Sequence, residues 1–175
     1  MTLRTPAQAA RSALACLDLT RLNDADTEVQ VAALCERAAG RCGPVAAVCV
    51  WPRLARFARA QAPAHVAVAA VANFPDGLSE IQRALRDTGE IVQAGAQELD
   101  LVLPYRALLA GATQACVALL GAVRRACEGL LLKVILKTGE LHEPARIALA
   151  AQLALDAGAN FLKTSTGKTP VNATP

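Results

Sequence analysis

The chain has 175 residues, 54% hydrophobic but only 3% aromatic, with 18 basic and 15 acidic side chains giving a formal charge of +3 and a mean hydropathy of +0.32. That length supports one sizeable core, so residues 1–175 are expected to form a single domain built from Ala, Val, Leu and Ile. The basic residues gather into no run, and the longest apolar stretches, 66–72 and 130–136, are far shorter than a membrane span, so neither nucleic acid nor a membrane is an expected partner.

At the N-terminus, Met1 to Ala10 lack the apolar segment of a signal peptide, and a soluble, cytoplasmic protein is expected. A helix-compatible segment from Pro6 to Ala15 leads to a short apolar strand, Cys16 to Thr20, and a polar loop, Arg21 to Asp24. Asn23 or Asp24 is placed to cap the next helix, in which Val31, Leu34, Cys35 and Ala38 fall at i, i+3, i+4 and i+7 before Gly40. The second strand is the apolar run Val45 to Val50, followed by a helix that starts near Pro52 with Leu54, Phe57 and Ala58 on one face.

A third strand, His65 to Ala72, ends in the loop Asn73-Phe74-Pro75-Asp76-Gly77. Ser79 to Gln82 has a capping-box pattern, with Ile81, Leu85 and Val92 expected on the buried side of the helix. The fourth strand, Glu98 to Leu103, stops at Pro104, and a helix through Val117, Leu120 and Val123 follows. The fifth, Leu131 to Lys137, runs into Thr138-Gly139-Glu140, and its helix after Pro144 is expected to bury Ile147, Ala150, Ala151 and Ala154. The sixth strand opens the stretch Phe161 to Lys168.

Strand and helix thus alternate with the spacing of βα units, and strands apolar on both faces imply a parallel sheet covered by helices. No Gly-rich dinucleotide fingerprint follows the first strand, and loops rich in polar residues follow several strands. The expected fold is therefore α/β, a TIM-type (β/α) barrel with about six of its eight βα units in this chain.

Lys163 stands in an apolar strand, where burial penalises its ammonium. By the alternation of a strand, Lys133, Ile135 and Lys137 share one side of the fifth strand, and Lys163 and Ser165 one side of the sixth. If those sides face the barrel axis, three lysines meet Asp100 from the fourth strand. Neighbouring cations and desolvation would then favour a neutral amine, the nucleophile of Schiff-base chemistry. Plainer readings stand beside this one: Lys163 as an ion-paired barrel lysine, Asp100 as its neutralising partner, Lys137 as a solvated strand end, Cys49 as core, and Asp18 and Thr20 as loop tethers. The six cysteines form no CxxC pair and read as buried thiols without disulfides. His65 and His142 lack metal-ligand spacing, so no His-based zinc site is expected.

Leu17-Asp18-Leu19-Thr20, Asn73 to Gly77, Glu98 to Val102, Pro104 to Leu108, Lys133-Val134-Ile135, Thr138 to Leu141 and Phe161 to Lys168, in that order, closely resemble deoxyribose-phosphate aldolase. The resemblance implies a class I aldolase of the cytoplasm that needs neither metal nor cofactor. Its substrates would be a small phosphorylated sugar and aldehydes, 2-deoxy-D-ribose 5-phosphate being cleaved reversibly to acetaldehyde and D-glyceraldehyde 3-phosphate. It also implies a role in deoxyribonucleotide catabolism and a homo-oligomer. It places Lys163 as the Schiff-base lysine, Asp100 as proton relay, Lys133 as a further active-site lysine, Asp18 and Thr20 near the substrate hydroxyls, and Thr166, Gly167 and Lys168 at the phosphate.

The family continues beyond this point into two further strands with a second active-site lysine and most of the phosphate loops. The sequence is therefore expected to be a fragment of a longer protein, with Asn172 to Pro175 as the start of a helix, unless something else supplies those units. Lys137 stands where the family often has an acidic residue, and is expected to point inward and help lower the pKa of Lys163. The alternatives are a non-catalytic fragment or assembly subunit, and a Schiff-base lyase acting on another aldehyde or a 2-keto acid.

Overall fold

A computed structural model describes residues 5–168, and the expected helix start at Asn172 to Pro175 lies outside them. Six parallel strands form one curled sheet in the order β1 (Asp18–Thr20), β4 (Ala47–Val50), β5 (Ala67–Ala72), β6 (Glu98–Val102), β7 (Leu131–Ile135), β8 (Phe161–Lys163). The remaining strands, β2 (Ala39–Gly40) and β3 (Gly43–Pro44), make a two-stranded antiparallel ladder. The helices are α1 (Pro6–Leu14), α2 (Glu28–Arg37), α3 (Pro52–Gln61), α4 (Ile81–Gln93), α5 (Tyr105–Leu109), α6 (Thr113–Ala126), α7 (Thr138–Leu141) and α8 (Pro144–Asp156). Together they make a partial (β/α) barrel.

Alternation along the strands divides their side chains into two layers. Val48, Val50, Val68, Ala70, Leu99, Leu101, Leu132 and Val134 face outward into the core shared with the helices. Ala47, Cys49, Ala69, Val71, Val102 and Ile135 face the concave interior. Alanines low on the concave side leave room there for long polar side chains. The sheet ends on β1 and β8, and Leu17, Phe161 and Leu162 beside those edges are 44%, 55% and 40% exposed.

Several local expectations give way. Helix α2 is capped by Thr27 rather than Asn23 or Asp24, because Gln30 completes a capping box with it, while the Asp26 carboxylate accepts from the Asn23 backbone N–H. The Ser79–Gln82 box does not form: Glu80 is the N-cap of α4 and makes no side-chain cap bond. The buried face of α4 is Ala84, Thr88 and Ile91, one step round from the expected face, and Val92 is exposed. Thr88 tolerates burial because its hydroxyl donates to the Ala84 carbonyl, 2.7 Å away. Val117 is likewise exposed, leaving Cys116, Leu119, Leu120 and Val123 as the buried side of α6.

Strand β7 stops at Ile135, and Lys137 adopts the left-handed conformation (φ 61°), which ends the alternation that would have aligned it with Lys133. All six cysteines are free thiols, with Cys35, Cys49, Cys116 and Cys127 buried but Cys16 and Cys42 exposed.

Candidate active site

The inward side chains of the six-stranded sheet surround a cavity of about 610 Å³. Strand register sets who meets whom: Asp100 pairs with Lys133, and Ile135 with Lys163, so Lys163 stands one inward step nearer the C-terminal ends of the strands than Lys133. Asp18 enters from the far edge, β1, because the sheet curls.

These groups form one ion cluster. Lys163 Nζ lies 2.5 Å from Asp100 Oδ2 and 3.1 Å from Asp18 Oδ2. Lys133 Nζ lies 2.6 Å from Asp18 Oδ2, 2.5 Å from Glu98 Oε2 and 3.7 Å from Asp100 Oδ1. Asp100 is 1% exposed and Lys133 6%, so each depends on its partners for charge compensation. Burial works against the charge on Lys163, yet the Asp100 carboxylate, with Cys49 and Asp18, holds its pKa above the usual lysine value. Burial opposes the charge on Lys133 too, but Asp100, Asp18 and Glu98 push its pKa well up. Burial raises the Asp18 pKa, but Lys133 and Lys163 outweigh it and the net shift is downward. Burial, reinforced by Asp100, drives the Cys49 thiol far up; its Sγ is 3.7 Å from Asp100 Oδ2.

Lys163 is ion-paired with Asp100 and Asp18, an arrangement that favours its ammonium over the neutral amine. Lys137 takes no part: it is 4% exposed, neither solvated nor turned into the cavity, and its Nζ sits 4.9 Å from the centre of the Tyr105 ring. Burial lowers the Lys137 pKa, but that amine does not act on Lys163.

Thr20, Ser165, Thr166 and Gly167 also line the cavity, whereas Lys168 is exposed and does not. The Thr166 hydroxyl accepts from the Lys168 backbone N–H at 3.2 Å, and Gly167 has φ +70° with open space around it. His65 and His142 are exposed, away from the cavity.

Leu22, Val71, Phe74 and Ile135 are among the side chains that give the cavity an apolar wall. Phe74 is held by its neighbours. Asn73, fully buried with φ 55°, donates through Nδ2 to the carbonyls of Leu78 and Val102 and accepts from the Leu78 N–H, while its own backbone N–H donates to Asp87. Gly77 passes so close to Leu103 that a Cβ there would lie 2.4 Å from the Leu103 carbonyl oxygen. On its other side Phe74 meets Trp51 edge-on, with centroids 5.4 Å apart and planes at 81°, and the Trp51 indole N–H donates to the Asn23 carbonyl.

Two participants were absent from the sequence-based set, Glu98 and Phe74. Glu98 had a signal: it sits two residues before Asp100 on a buried strand, hence on the same face. Among the described residues no His, Cys, Asp and Glu group is arranged to hold a metal ion. The cluster instead offers an amine that can pass its proton to an adjacent carboxylate and attack a carbonyl.

Comparison with known proteins places the chain in an aldolase family. A family model described as DeoC/LacD family aldolase matches residues 12–175. A protein assigned as a deoxyribose-phosphate aldolase from Coccidioides immitis is 31% identical with a TM-score of 0.86, over 97% of this chain and 66% of that one. A second, assigned likewise, from Toxoplasma gondii ME49 is 30% identical, TM-score 0.86, over 96% of this chain and 64% of that one. The chain thus spans a little less than two thirds of the length of these two proteins. The deoxyribose phosphate aldolase of Aeropyrum pernix, 24% identical with TM-score 0.77 over 90% of this chain and 66% of that one, shares the fold.

Proposed function

The chain belongs to the DeoC/LacD family of aldolases, and we propose that it is a class I aldolase in which Lys163 forms a Schiff base with 2-deoxy-D-ribose 5-phosphate. The observation that carries this reading is the contact of Lys163 Nζ with Asp100 Oδ2 inside an apolar-walled cavity. Asp100 accepts the ammonium proton, the freed amine adds to the C1 carbonyl of the open-chain sugar, and loss of water from the carbinolamine leaves a protonated imine. Removal of the C3 hydroxyl proton breaks the C2–C3 bond, with its electron pair drawn into the iminium. D-glyceraldehyde 3-phosphate departs, and an enamine stays on Lys163. Protonation at C2 and addition of water release acetaldehyde and restore the amine. Asp100, through water, serves as acid and base in turn.

Thr166 and Gly167 at the cavity rim suit the phosphate end, with Lys168 supplying charge from outside, and Thr20 and Asp18 suit the hydroxyls. Lys133 helps hold the Asp18 carboxyl below its usual pKa and lies 3.7 Å from Asp100 Oδ1. Three carboxylates facing two ammonium groups favour an uncharged aldehyde over a 2-keto acid at Lys163. No helix among the described residues is long and apolar enough to cross a membrane, and a cytoplasmic role in deoxyribonucleotide catabolism follows from the substrate.

The test is borohydride reduction in the presence of acetaldehyde, with intact mass and peptide mapping, beside a cleavage assay with deoxyribose 5-phosphate. The expected result is one ethyl group, on Lys163. A chain that gains none is not a Schiff-base aldolase.

A further inference from the structure

We propose that Glu98 is a positioning residue that decides which of two cavity lysines reacts with a carbonyl. The inference rests on the reading of Lys163 as the imine-forming amine. Two primary amines, Lys133 and Lys163, line the same cavity, Lys163 the more exposed at 28% against 7%, so both can meet a carbonyl there. Both contact Asp18 and Asp100. What separates them is Glu98, whose Oε2 lies 2.5 Å from Lys133 Nζ and which forms no ion pair with Lys163.

Glu98 is the first residue of β6, one inward step below Asp100, and is 8% exposed. Its Oε2 is buried, and among the described residues the Lys133 ammonium is the cation in contact with it. Glu98 is one of the carboxylates that hold the Lys133 ammonium charged, and removing its charge leaves that buried cation with one partner fewer. Lys133 stays a cation without a lone pair for a carbonyl. Lys163 contacts Asp100 and Asp18 but no third carboxylate, and once Asp100 takes its proton its amine is free.

Among the described residues the ionisable side chains lining the cavity are Cys16 ahead of β1, Asp18 on β1, Cys49 on β4, Glu98 and Asp100 on β6, Lys133 on β7 and Lys163 on β8, while β5 contributes Ala67, Ala69 and Val71 to that side of the sheet. Among these the charge on Lys133 is the most strongly favoured.

The experiment is reductive trapping with acetaldehyde on the 175-residue chain from pH 7 to pH 10, with adducts mapped by peptide. Each amine that forms an imine loses one water, and borohydride adds hydride to carbon while solvent supplies the proton to nitrogen. In the unmodified chain Lys163 is labelled, and Lys133 at least about tenfold less, one pK unit of separation being tenfold in free amine. Glu98→Gln raises Lys133 labelling at least about tenfold and lowers the pH at which it starts. Glu98→Asp restores the original pattern. Glu98→Gln with Lys133→Arg labels Lys163 alone, because a guanidinium keeps the charge but forms no such imine.

Labelling confined to Lys163 in Glu98→Gln, with an unchanged pH profile, overturns the role of Glu98 and leaves the aldolase reading standing. Should Glu98→Gln fail to fold, the pH series of the unmodified chain decides: Lys133 labelling that rises in step with Lys163 overturns the proposal, and its absence supports it. No adduct anywhere on the unmodified chain overturns the aldolase reading, and this inference with it.

Discussion

Lys163 and Asp100 meet across the floor of the curled sheet at 2.5 Å, although 63 residues separate them in the chain. The carboxylate is almost wholly buried and the lysine side chain is 28% exposed, so the amine reaches substrate while its proton acceptor stays fixed.

Asp100→Asn removes the strongest support for the Lys163 ammonium. The pH at half-maximal borohydride trapping falls by about one unit or more, because burial then acts against fewer carboxylates. Turnover of deoxyribose 5-phosphate falls in the same variant by roughly 10²- to 10⁴-fold, the usual span for losing a general acid–base. An upward move of the trapping pH would show that Asp100 does not hold the resting lysine charged.

Lys137→Met leaves the pH profile of trapping where it is, since Lys137 packs on Tyr105 outside the cavity. A shift of half a unit or more, about 0.7 kcal/mol at the lysine, would show the two amines to be coupled after all.

Gly77→Ala places a methyl 2.4 Å from the Leu103 carbonyl oxygen and 2.9 Å from Val102 Cγ1 at a φ of +62°. The first obstacle is backbone and cannot rotate away. The variant loses about 2 kcal/mol or more in urea unfolding, combining overpacking with left-handed strain. A loss below about 1 kcal/mol would mean that the Asn73 loop yields easily.

The ion cluster also sets a pH window for stability. The Asp18 pKa is lowered on folding, so its contribution is present above about pH 4 and is lost as pH falls through the lower folded value. Lys133 and Lys163 are raised, so theirs is complete below about pH 10 and is lost only above. Lys137 has the opposite sign: its lowered pKa means stability gained as pH rises towards the usual lysine value. Lys133→Met takes away a main support of the Asp18 carboxylate, and the midpoint of acid unfolding followed by circular dichroism moves to higher pH. An unmoved midpoint would show that Asp18 draws its compensation from Lys163 alone.

The sheet was legible because runs such as Val45–Val50 and Glu98–Leu103 are buried on both faces, and a continuous apolar run reports that directly. Asp100 stood out as a charge inside such a run, and Lys163 as one in an apolar strand whose Phe161 and Leu162 are in fact exposed. The side of α4 was harder: Leu85 and Val92 are larger than Ala84 and Thr88, and a hydroxyl that bonds back to its own helix hides its polarity. Lys137 misled because strict alternation carries it inward, and nothing short of its left-handed backbone shows the strand ending at Ile135. Glu98 begins a strand, a usual place for a solvated carboxylate; the register of β6 on β7 sets Lys133 beside it, and the curl of the sheet adds Asp18 on the far side of that lysine.

The Trp51–Phe74 contact makes this chain a sensor of its own cavity. There is one tryptophan in the sequence, and it rests against the aromatic wall of the cavity. Its ultraviolet emission is therefore a single-site optical signal, free of background from other indoles, through which occupancy of the cavity can be followed in real time without an attached dye.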